Sequence, residues 1–573
     1  MSKQNTFTPP WRKTAPKEGS WRSIFKWGDP LGFKSPGDRL YAELKEAFNL
    51  TDDDFQERKH EGDGPVECPD TKALSRDQVK AFAAIVGEDN MSTDAYQKVK
   101  YSTGKTLEEA MRLRAGKVDR VCDLVVHPRS REDVEKVVAL CNDEKIPIYV
   151  YGGGSSVNFG LRPSKGGVTL VLNTHMNKIV EVNETNQTVR VEAGMMGPAF
   201  EEALNSARKN LKTEYNYTCG HFPQSFEYSS VGGWIVTLGS GQNSSLYGDA
   251  YDLCLGVEVV TPRGTINTLE YPGTATGPKV LDMMKGMEGT FGVVTAVTWK
   301  LHRHRPENRQ YFGFLFKNFA DAIEAAREVT QDEGGMPSVF RVFDENETDF
   351  AMKMYSISGS AADSFLSLRG YKAENRCLFL GSSDGEKGFA KHVKKRVKKI
   401  CKKHGAMYIS GYAQKLWEPD RFKHPYIRED LQDFGILSDT LESSLSWDQL
   451  HEAHKAVNGF MASRPNTMYM SHSSHFYPQG TNLYYIYFIK TDDIEEYRAF
   501  QDGVIDAVSK SGGSLSHHHG VGKMIGPWME DHLGSEQMEA LRALKRHFDP
   551  NNIMNPGGQL GIDITTRQWR DIE

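Results

Sequence analysis

Val150-Tyr-Gly-Gly-Gly-Ser-Ser-Val157 is the stretch of the sequence that decides the fold. It follows an apolar run, residues 146–150, which predicts a short buried strand. Glycine has no Cβ, so three glycines let the backbone adopt positive φ and approach a ligand closely. Successive N–H groups in such a bend form a concave, positively polarised nest that suits a pyrophosphate. The stretch by itself predicts either a phosphate-binding loop or a plain glycine turn.

The flanking residues exclude two common phosphate-binding motifs. A Rossmann fingerprint needs a third glycine at the position of Val157 and a helix directly after the loop. Residues 158–167 are instead loop-like, with Pro163 and a Gly166-Gly167 pair, and they lead into an apolar strand at 169–172. A Walker loop would need Gly-Lys-Ser/Thr, which this stretch lacks. The predicted organisation is strand, glycine loop, long connection and strand.

The composition describes an ordinary, rather polar protein with reduced thiols. The chain has 573 residues, 38% of them hydrophobic and 25% charged, and its formal net charge is -6. This charge argues against nucleic acid as a partner. No apolar run approaches the ~18 residues of a membrane span, and residues 570–573 do not form a peroxisomal address. Seven scattered cysteines without a Cys-x-x-Cys pair indicate neither a disulfide framework nor a zinc site.

A cytoplasmic protein is therefore expected, with peripheral membrane contact as an alternative. Trp11, Trp21 and Trp27 lie among Lys, Arg and Pro near the N-terminus. If these rings were exposed together, they would mark a membrane-surface or partner site. Their spacing is irregular, which favours ordinary packing against the rest of the protein.

Several later motifs occur in the order found in one flavoprotein superfamily. They are Arg190-Val-Glu-Ala-Gly194, Thr218-Cys-Gly-His-Phe-Pro-Gln-Ser-Phe-Glu-Tyr-Ser-Ser-Val-Gly-Gly-Trp234, Gly239-Ser-Gly241 with Leu246-Tyr-Gly248, and Met287-Glu-Gly-Thr-Phe-Gly-Val-Val-Thr295. In this order they resemble the FAD-binding domain of the vanillyl-alcohol-oxidase (PCMH-type) flavoproteins. Ser514-Leu-Ser-His-His-His-Gly-Val-Gly-Lys523 further resembles the alkyldihydroxyacetonephosphate synthase family of ether-lipid enzymes. The superfamily resemblance covers roughly residues 123–302 and the C-terminal tail.

The resemblance and the pattern of predicted elements together imply an α+β fold in four regions. Residues 1–115 are expected to form a helical N-terminal extension, and residues 116–305 a PCMH-type FAD-binding domain of two subdomains. Beyond residue 305, repeated strands with intervening helices predict an antiparallel sheet covered on one face, a cap domain over 306–540. Residues 541–573 are expected to return to the FAD domain.

FAD is the cofactor that the resemblance implies, and we expect it to be bound non-covalently. Covalent members carry a histidine in or just after the glycine loop, or a histidine or cysteine in the cap domain, and the first of these places holds Ser155, Ser156 and Asn158 here. Small residues that let the backbone approach the flavin recur in the later motifs. The expected cofactor-binding residues are Gly152, Gly153, Gly154, Ser155, Ser156, Val157, Pro223, Gln224, Ser225, Ser229, Ser230, Gly232, Gly233, Gly239, Glu288, Gly289 and Val293.

The triple histidine, His517-His518-His519, predicts proton transfer and phosphate binding rather than a metal site. Adjacent residues on a strand alternate faces, so three in a row cannot all ligate one ion without distortion. Imidazoles titrate near neutrality, which suits a proton shuttle. Arg341 and Arg428 lie in largely apolar or aromatic runs, where a guanidinium needs an anionic partner.

The family resemblance assigns expected roles to these side chains. Tyr485 would move a substrate proton with help from His519, while His517, His518 and Arg428 would complete the catalytic set. Arg341 and His221 would bind substrate. The implied reaction exchanges the acyl chain of acyl-dihydroxyacetone phosphate for a fatty alcohol without net oxidation or reduction. A homodimer is the expected assembly.

Two departures from the family pattern leave other functions open. Leu238 stands where the family has a basic residue near the flavin, and Ala296 stands where an acid is typical. The alternative enzyme is an FAD-dependent dehydrogenase or oxidase of 2-hydroxy acids or aromatic alcohols. An acidic residue before the last His-Gly would favour it, but this chain has His518 there. A flavin-stabilised binding protein without catalysis is the third interpretation.

Overall fold

A computed structural model describes residues 14–560 except positions 35, 60–61, 70 and 72–73. The expectations for Trp11 and for residues 570–573 lie outside the described residues. The fold combines helices with strands, and three of its sheets have four or more strands. This arrangement confirms the predicted α+β class. The four-region division remains a prediction, and we use its region names below.

The N-terminal extension is mostly helical, as predicted. Two of its helices start at capping boxes, one formed by Ser75 and Gln78 and the other by Thr106 and Glu109. Trp21 and Trp27 are buried, so these two rings pack inside the protein. The elements are α1 Trp21–Phe25, α2 Asp38–Phe48, α3 Arg76–Val86, β1 Met91–Ser92, α4 Ala95–Lys100 and α5 Leu107–Arg114.

A four-stranded sheet positions the glycine loop. Its strand order is β1-β2-β4-β3, and β2 and β3 both run parallel to β4. A helical crossover joins β2 to β3, because parallel strands cannot be joined by a tight turn. The glycine loop follows the carboxyl end of β3. The elements are β2 Leu124–Val126, α6 Arg131–Glu144, β3 Ile148–Tyr151 and β4 Val168–Val171.

An antiparallel five-stranded sheet, ordered β5-β6-β10-β8-β9, completes the FAD region. Two successive helices, α7 and α8, are separated at Ser206. The elements are β5 Ile179–Asn183, β6 Thr188–Glu192, α7 Gly197–Asn205, α8 Ala207–Asn210, β7 Tyr217–Thr218, α9 Val231–Val236, α10 Ser244–Tyr247, α11 Ala250–Leu253, β8 Cys254–Thr261, β9 Gly264–Asn267, α12 Val280–Met284, β10 Val293–Lys300 and β11 His302–Arg303.

The cap region contains a seven-stranded antiparallel sheet, ordered β15-β12-β14-β13-β17-β18-β16. Four helices, α13, α16, α19 and α20, cover one face and form its main apolar core. The elements are β12 Gln310–Phe316, α13 Phe319–Gln331, β13 Val339–Phe343, α14 Glu345–Met354, α15 Ala361–Leu368, β14 Cys377–Ser383, α16 Lys387–Lys403, β15 Met407–Tyr408, α17 Tyr412–Asp420, α18 His424–Gln432, β16 Ile436–Ser446, α19 Leu450–Ser463, β17 Thr467–Tyr477, β18 Gly480–Lys490, α20 Ile494–Lys510, α21 Gly522–Ile525, α22 Met529–Leu533 and α23 Ser535–Phe548.

A buried ion cluster fastens the extension to the cap region. Arg22 and Arg114 from the extension both reach Asp433 and Glu429, which lie at the end of α18. The Arg114 Nη1 to Asp433 Oδ1 distance is 2.6 Å, and both side chains are almost fully buried. Charges are buried only when they are paired, so removing one partner leaves the others uncompensated.

We predict that Asp433→Ala lowers the free energy of unfolding by about 3–5 kcal/mol, because two buried guanidinium groups lose a partner. Asp77→Ala is the control, since Asp77 is 95% exposed and pairs only loosely with Lys80 at 3.8 Å. Chemical denaturation measures both. Equal stability of the two variants would show that the buried ion cluster does not stabilise the fold.

Candidate active site

A cavity of about 800 Å³ lies between the glycine loop and the face of the cap sheet opposite α13, α16, α19 and α20. This volume is near the top of the roughly 300–1,000 Å³ range for small-molecule sites. The glycine loop and α9 line one side of the cavity. Side chains from β13, β16, β17 and β18 line the other side. The site is therefore built jointly by the FAD and cap regions.

The glycine loop presents an unsatisfied backbone to this cavity. Among the described residues, no acceptor pairs with the backbone N–H groups of residues 153–157. Buried backbone N–H groups are almost always paired, so a run of free ones indicates an anionic ligand. A Cβ at Gly153 would lie 1.9 Å from the carbonyl oxygen of Tyr228. This glycine is therefore needed for close packing of the loop against its neighbour.

Two further glycines leave open space for a ligand. A Cβ at Gly233 would meet only Ser230 Oγ, at 3.4 Å, and a Cβ at Gly289 would meet only Val150, at 3.9 Å. Both glycines line the cavity. Their bare backbone can therefore lie against a flat ring system. Unpaired N–H groups at one end and open glycines along the wall fit a flavin dinucleotide.

Sixteen of the seventeen expected cofactor residues line the cavity. They are Gly152, Gly153, Gly154, Ser155, Ser156, Val157, Pro223, Gln224, Ser225, Ser229, Ser230, Gly232, Gly233, Gly239, Glu288 and Gly289. Val293 does not line it and is fully buried in the core of the FAD region. Side chains alternate along β10, so Val294 faces the cavity in place of Val293.

The histidine loop, residues 517–519, is held by one buried carboxylate. Glu442 Oε1 accepts the backbone N–H groups of His518 and His519, each at 3.0 Å, and Oε2 accepts that of His517 at 2.5 Å. Burial alone would raise the pKa of Glu442, but the imidazoles of His519 and His517 and the donated N–H groups lower it below its ordinary value. Glu442 is thus a carboxylate that fixes the loop backbone.

Glu288 holds the other end of the same loop from the FAD region. Its carboxylate accepts the N–H groups of Val521 and Gly522 at 2.6 and 2.7 Å. Burial raises the pKa of Glu288 to about 7, despite these two hydrogen bonds. Asn158, directly after the glycine loop, donates to the carbonyl of His519 at 2.9 Å. The glycine loop and the histidine loop are therefore joined.

The structure brings together four of the predicted catalytic and substrate residues. Arg341, Arg428, His518 and His519 all line the cavity. Arg428 donates to the carbonyls of Ser438 and Lys105 and lies 3.3 Å from Asp439. This arrangement fixes its guanidinium at the cavity wall.

Tyr485 does not line the cavity, which corrects its expected role. Its side chain lies in the apolar core under the helices, fully buried, and its hydroxyl has no hydrogen-bond partner among the described residues. Successive side chains of β18 point to opposite faces, so Tyr484 faces the cavity in its place. The tyrosine that faces the cavity is therefore one residue before the one to which the family resemblance assigned the role.

Tyr484 lies among three histidines. Its ring stacks on His472 with centroids 4.9 Å apart and on His518 at 6.0 Å, and it meets His519 edge-on at 5.6 Å. Its hydroxyl donates to Thr440 Oγ1 at 2.9 Å. Burial raises the pKa of Tyr484 to about 12, so this hydroxyl stays protonated at neutral pH. Tyr484 is the cavity tyrosine that sequence reasoning missed.

His221 and His517 also lie outside the cavity lining. The His221 ring packs against Trp234 and Trp299, and neither nitrogen has a partner among the described residues. Burial lowers the pKa of His221 to about 3, so it stays neutral. The structure therefore does not bring His221 to the cavity that Arg341 lines. His517 lies just behind His518, with the two Nδ1 atoms 3.0 Å apart.

Arg341 forms a buried polar cluster with His472 and Glu347. Arg341 Nη2 lies 2.8 Å from His472 Nε2, and His472 Nδ1 lies 2.8 Å from Glu347 Oε2. Burial raises the pKa of Glu347 to about 7, and the positive charge of Arg341 offsets only part of this effect. Burial also lowers the pKa of His472 well below its ordinary value. A weakly neutralised guanidinium at a cavity wall can bind an anionic substrate group.

Among the described residues, Glu442, His517 and His518 have ligand atoms close enough for a metal ion, within 4.8 Å of one another. The Glu442 oxygens, however, already accept three backbone N–H groups and the Ser516 hydroxyl. A metal would have to displace these bonds. We therefore assign the carboxylate to loop positioning.

An apolar arm extends the cavity toward the surface. It is lined by side chains of α14, α17 and the adjacent strands: Phe350, Met352, Met354, Tyr355, Ile357, Leu378, Leu380, Tyr412, Leu416 and Trp417. Tyr355 and Tyr412 are more than half exposed, so the arm reaches the surface there. Such a channel matches an aliphatic chain.

Comparison with known proteins agrees with this geometry. The FAD binding domain family matches residues 122–270, and the C-terminal domain family of FAD linked oxidases matches residues 305–558. A solved structure of p-cresol methylhydroxylase shares the fold, with 19% identity, a TM-score of 0.62, and coverage of 86% of this chain and 99% of that one. The chain is an enzyme of the FAD linked oxidase superfamily, and FAD is its cofactor.

The particular family follows from two longer similarities. An alkyldihydroxyacetonephosphate synthase of Dictyostelium discoideum is 31% identical over 527 residues, which cover 87% of this chain and 84% of the relative. A solved structure of an alkyldihydroxyacetonephosphate synthase is 27% identical with a TM-score of 0.77, covering 94% of this chain and 99% of that one. The chain belongs to the alkyldihydroxyacetonephosphate synthase family.

We predict that two glycine substitutions affect different properties, one the stability of the protein without FAD and the other the binding of FAD. Gly153→Ala destabilises the protein without FAD, because its Cβ would collide with the Tyr228 carbonyl oxygen. Gly233→Ala leaves that stability nearly unchanged but weakens FAD binding, since its methyl group enters the cavity. Thermal melts of apoprotein and FAD titrations by fluorescence measure the two effects. An unchanged melt of Gly153→Ala would contradict the packing role.

We predict a pH-dependent stability difference for Glu347→Gln. The protonated Glu347 carboxyl is favoured in the folded state, since its pKa rises to about 7 from an ordinary value of about 4.3. This stabilisation is fully present below about pH 4.3 and is lost as the pH rises through 7. The stability of wild type relative to the variant should therefore fall by about 4 kcal/mol over this window.

Denaturation curves at several pH values test the Glu347 prediction. Exposed Glu452, also on a cap helix, supplies the control variant Glu452→Gln. Parallel stability curves for wild type and Glu347→Gln would show that Glu347 titrates normally.

Proposed function

We propose that the chain exchanges the acyl chain of acyl-dihydroxyacetone phosphate for a fatty alcohol, giving alkyl-dihydroxyacetone phosphate. The observation that carries this proposal is Tyr484 among His518 and His519 in a cavity whose apolar arm reaches the surface. Proton-transfer groups beside an anion-binding cluster and an aliphatic channel match a substrate with a phosphate and a long chain. The family relationship supports the same chemistry.

The proton-transfer roles follow from the environments of the three side chains. Tyr484 keeps its proton at neutral pH, since ionising it against a pKa of about 12 would cost about 7 kcal/mol, so its hydroxyl can donate a hydrogen bond to the reacting substrate. Burial lowers the pKa of His519, although the nearby Glu442 offsets part of this effect. The pKa of His518 is lowered further, by burial and by the neighbouring imidazoles of His519 and His475. His519 is therefore the stronger base and accepts the substrate proton.

Arg341 and Arg428 supply the positive charge of the site. Arg341, with His472 behind it, would bind the substrate phosphate. Arg428, fixed at the wall by two backbone carbonyls, would face the cofactor. Bound FAD supplies the electron-accepting ring on which the exchange depends. No residue capable of a covalent flavin link lies within 152–158, which supports non-covalent binding.

We also propose that the protein makes peripheral contact with a lipid surface. Phe365, Leu368, Tyr355, Tyr412 and Leu416 are exposed, and three of them line the apolar arm. An arm that opens among exposed apolar side chains would let a fatty alcohol enter directly from a membrane. Among the described residues, no helix is long and apolar enough to cross a bilayer. The cytoplasmic location and the homodimer stay predictions.

We predict that Tyr484→Phe lowers turnover by about 10²-fold or more, the usual contribution of a positioned proton-transfer group. Tyr485→Phe is the matched control, since its hydroxyl is buried in the core without a partner. The control should keep near-wild-type activity and bound FAD. The opposite result, with loss in Tyr485→Phe alone, would restore the role expected from the sequence.

An anaerobic flavin experiment separates the synthase from the alternative dehydrogenase. Acyl-dihydroxyacetone phosphate should lower the visible flavin absorbance without any oxidant present. A fatty alcohol should then restore it, and alkyl product should form without an electron acceptor. Absorbance lost with a 2-hydroxy acid or an aromatic alcohol, and regained only with an oxidant, would favour the dehydrogenase instead.

A further inference from the structure

A hydrogen-bonded chain leads from the cavity to a carboxylate that the cavity does not contain. His518 lines the cavity, and its Nδ1 lies 3.0 Å from His517 Nδ1. His517 Nε2 lies 2.7 Å from the Tyr477 hydroxyl, which donates to Asp249 Oδ2 at 2.5 Å. Each of these rings or hydroxyls can both accept and donate a proton. This series of hydrogen bonds can therefore carry a proton from His518 to Asp249.

A second branch reaches the same carboxylate from another cavity histidine. His475 lines the cavity, and its Nδ1 lies 2.7 Å from Ser240 Oγ and 2.8 Å from Ser244 Oγ. Ser240 also donates to Asp249 Oδ1. The two oxygens of Asp249 thus receive one branch each. Ser244 bonds the same imidazole, but no contact in the described residues continues from it to Asp249.

The backbone at His475 adopts a strained conformation that holds this geometry. His475 has φ of 53° and occupies a bulge between Ser474 and Phe476 in the pairing of β17 with β18. A non-glycine residue with positive φ is strained, and bulges often redirect a side chain beside an active site. The bulge turns His475 toward Ser240 and Ser244. Simple packing of the strand would not require it.

The proposed reaction releases a proton that such a series of hydrogen bonds could carry away. The C1–O bond to the acyl group breaks and the fatty acid leaves as a carboxylate, which keeps the electron pair. The alcohol oxygen bonds to C1 and loses its proton to His518 or His475, whereas His519 is the base for the acyl substrate. No electrons are transferred overall, but one proton is released per turnover at neutral pH. A proton released in a largely apolar cavity needs a route to solvent, because an isolated charge there is costly.

We propose that Asp249 is the proton outlet of the active site, fed by the His518–His517–Tyr477 branch and by the His475–Ser240 branch. Asp249 is half-buried just before α11, so its carboxylate can pass the proton on to water. The inference rests on the proposed function. Asp249 acts through other residues and is a positioning and proton-transfer group that does not touch substrate.

The test compares variants of the FAD-loaded full chain. Asp249→Asn, which keeps the side-chain shape, should lower kcat by about 10²-fold with little change in KM. Tyr477→Phe and Ser240→Ala should each lower kcat by a smaller factor, because one branch stays open, and the double variant should match Asp249→Asn. Ser244→Ala is the control and should keep wild-type kcat. Added formate, a small carboxylate, should restore activity to Asp249→Ala.

Two results would overturn the outlet: kcat of Asp249→Asn within twofold of wild type, or Asp249→Ala that formate does not rescue. A substrate-free readout separates this outcome from a failure of the proposed function. Asp249→Asn should shift the ring ¹⁵N signals of His517 and His475 in NMR spectra, and unchanged signals would overturn the chain of hydrogen bonds. Absence of alkyl product from wild type would refute the proposed function instead.

Discussion

The carboxylate of Glu442 is the interaction on which the active site depends. It receives three successive backbone N–H groups from His517, His518 and His519, together with the Ser516 hydroxyl. An ionised carboxylate is costly to bury, and hydrogen bonds to it are worth about 1.5–3 kcal/mol each. These bonds offset the cost of burial and fix the loop backbone. The imidazoles are thereby directed toward the cavity and toward Tyr477.

The same loop connects the two halves of the protein. Glu288 from the FAD region holds residues 521 and 522, while Glu442 from the cap sheet holds residues 517–519. Asn158 ties the loop to the end of the glycine loop. The position of the proton-transfer groups relative to the cofactor is therefore set by two carboxylates and one amide. Tyr484 completes the arrangement from the neighbouring strand.

Local patterns in the sequence predicted the glycine loop, the strands on either side of it and many residues that line one side of the cavity. The strand over 146–150 and the loop after it depend on nearby residues, which the sequence shows directly. The face of β18 could not be read, because Leu483-Tyr-Tyr-Ile-Tyr-Phe488 is apolar or aromatic on both sides. Only the packing of α20 and the other cap helices shows that Tyr485 is inside and Tyr484 is in the cavity.

Contacts between distant parts of the chain account for the other differences. Glu442 lies 75 residues before its partner His517, on a strand that no local pattern singled out. His221 belongs to a family motif, yet the burial created by Trp234 and Trp299 separates it from the substrate side. A motif identifies residues that belong together in sequence. It does not determine which side chain the final packing leaves accessible.

Hydrogen–deuterium exchange of the backbone amides of residues 517–519, in wild type and in Glu442→Ala, tests the central claim most directly. The account predicts strong protection in wild type and its loss in the variant, while the cap-sheet core at β17 and β18 stays protected. Equal protection of these three amides in both proteins would contradict it, since the loop would then be held by something other than the Glu442 carboxylate.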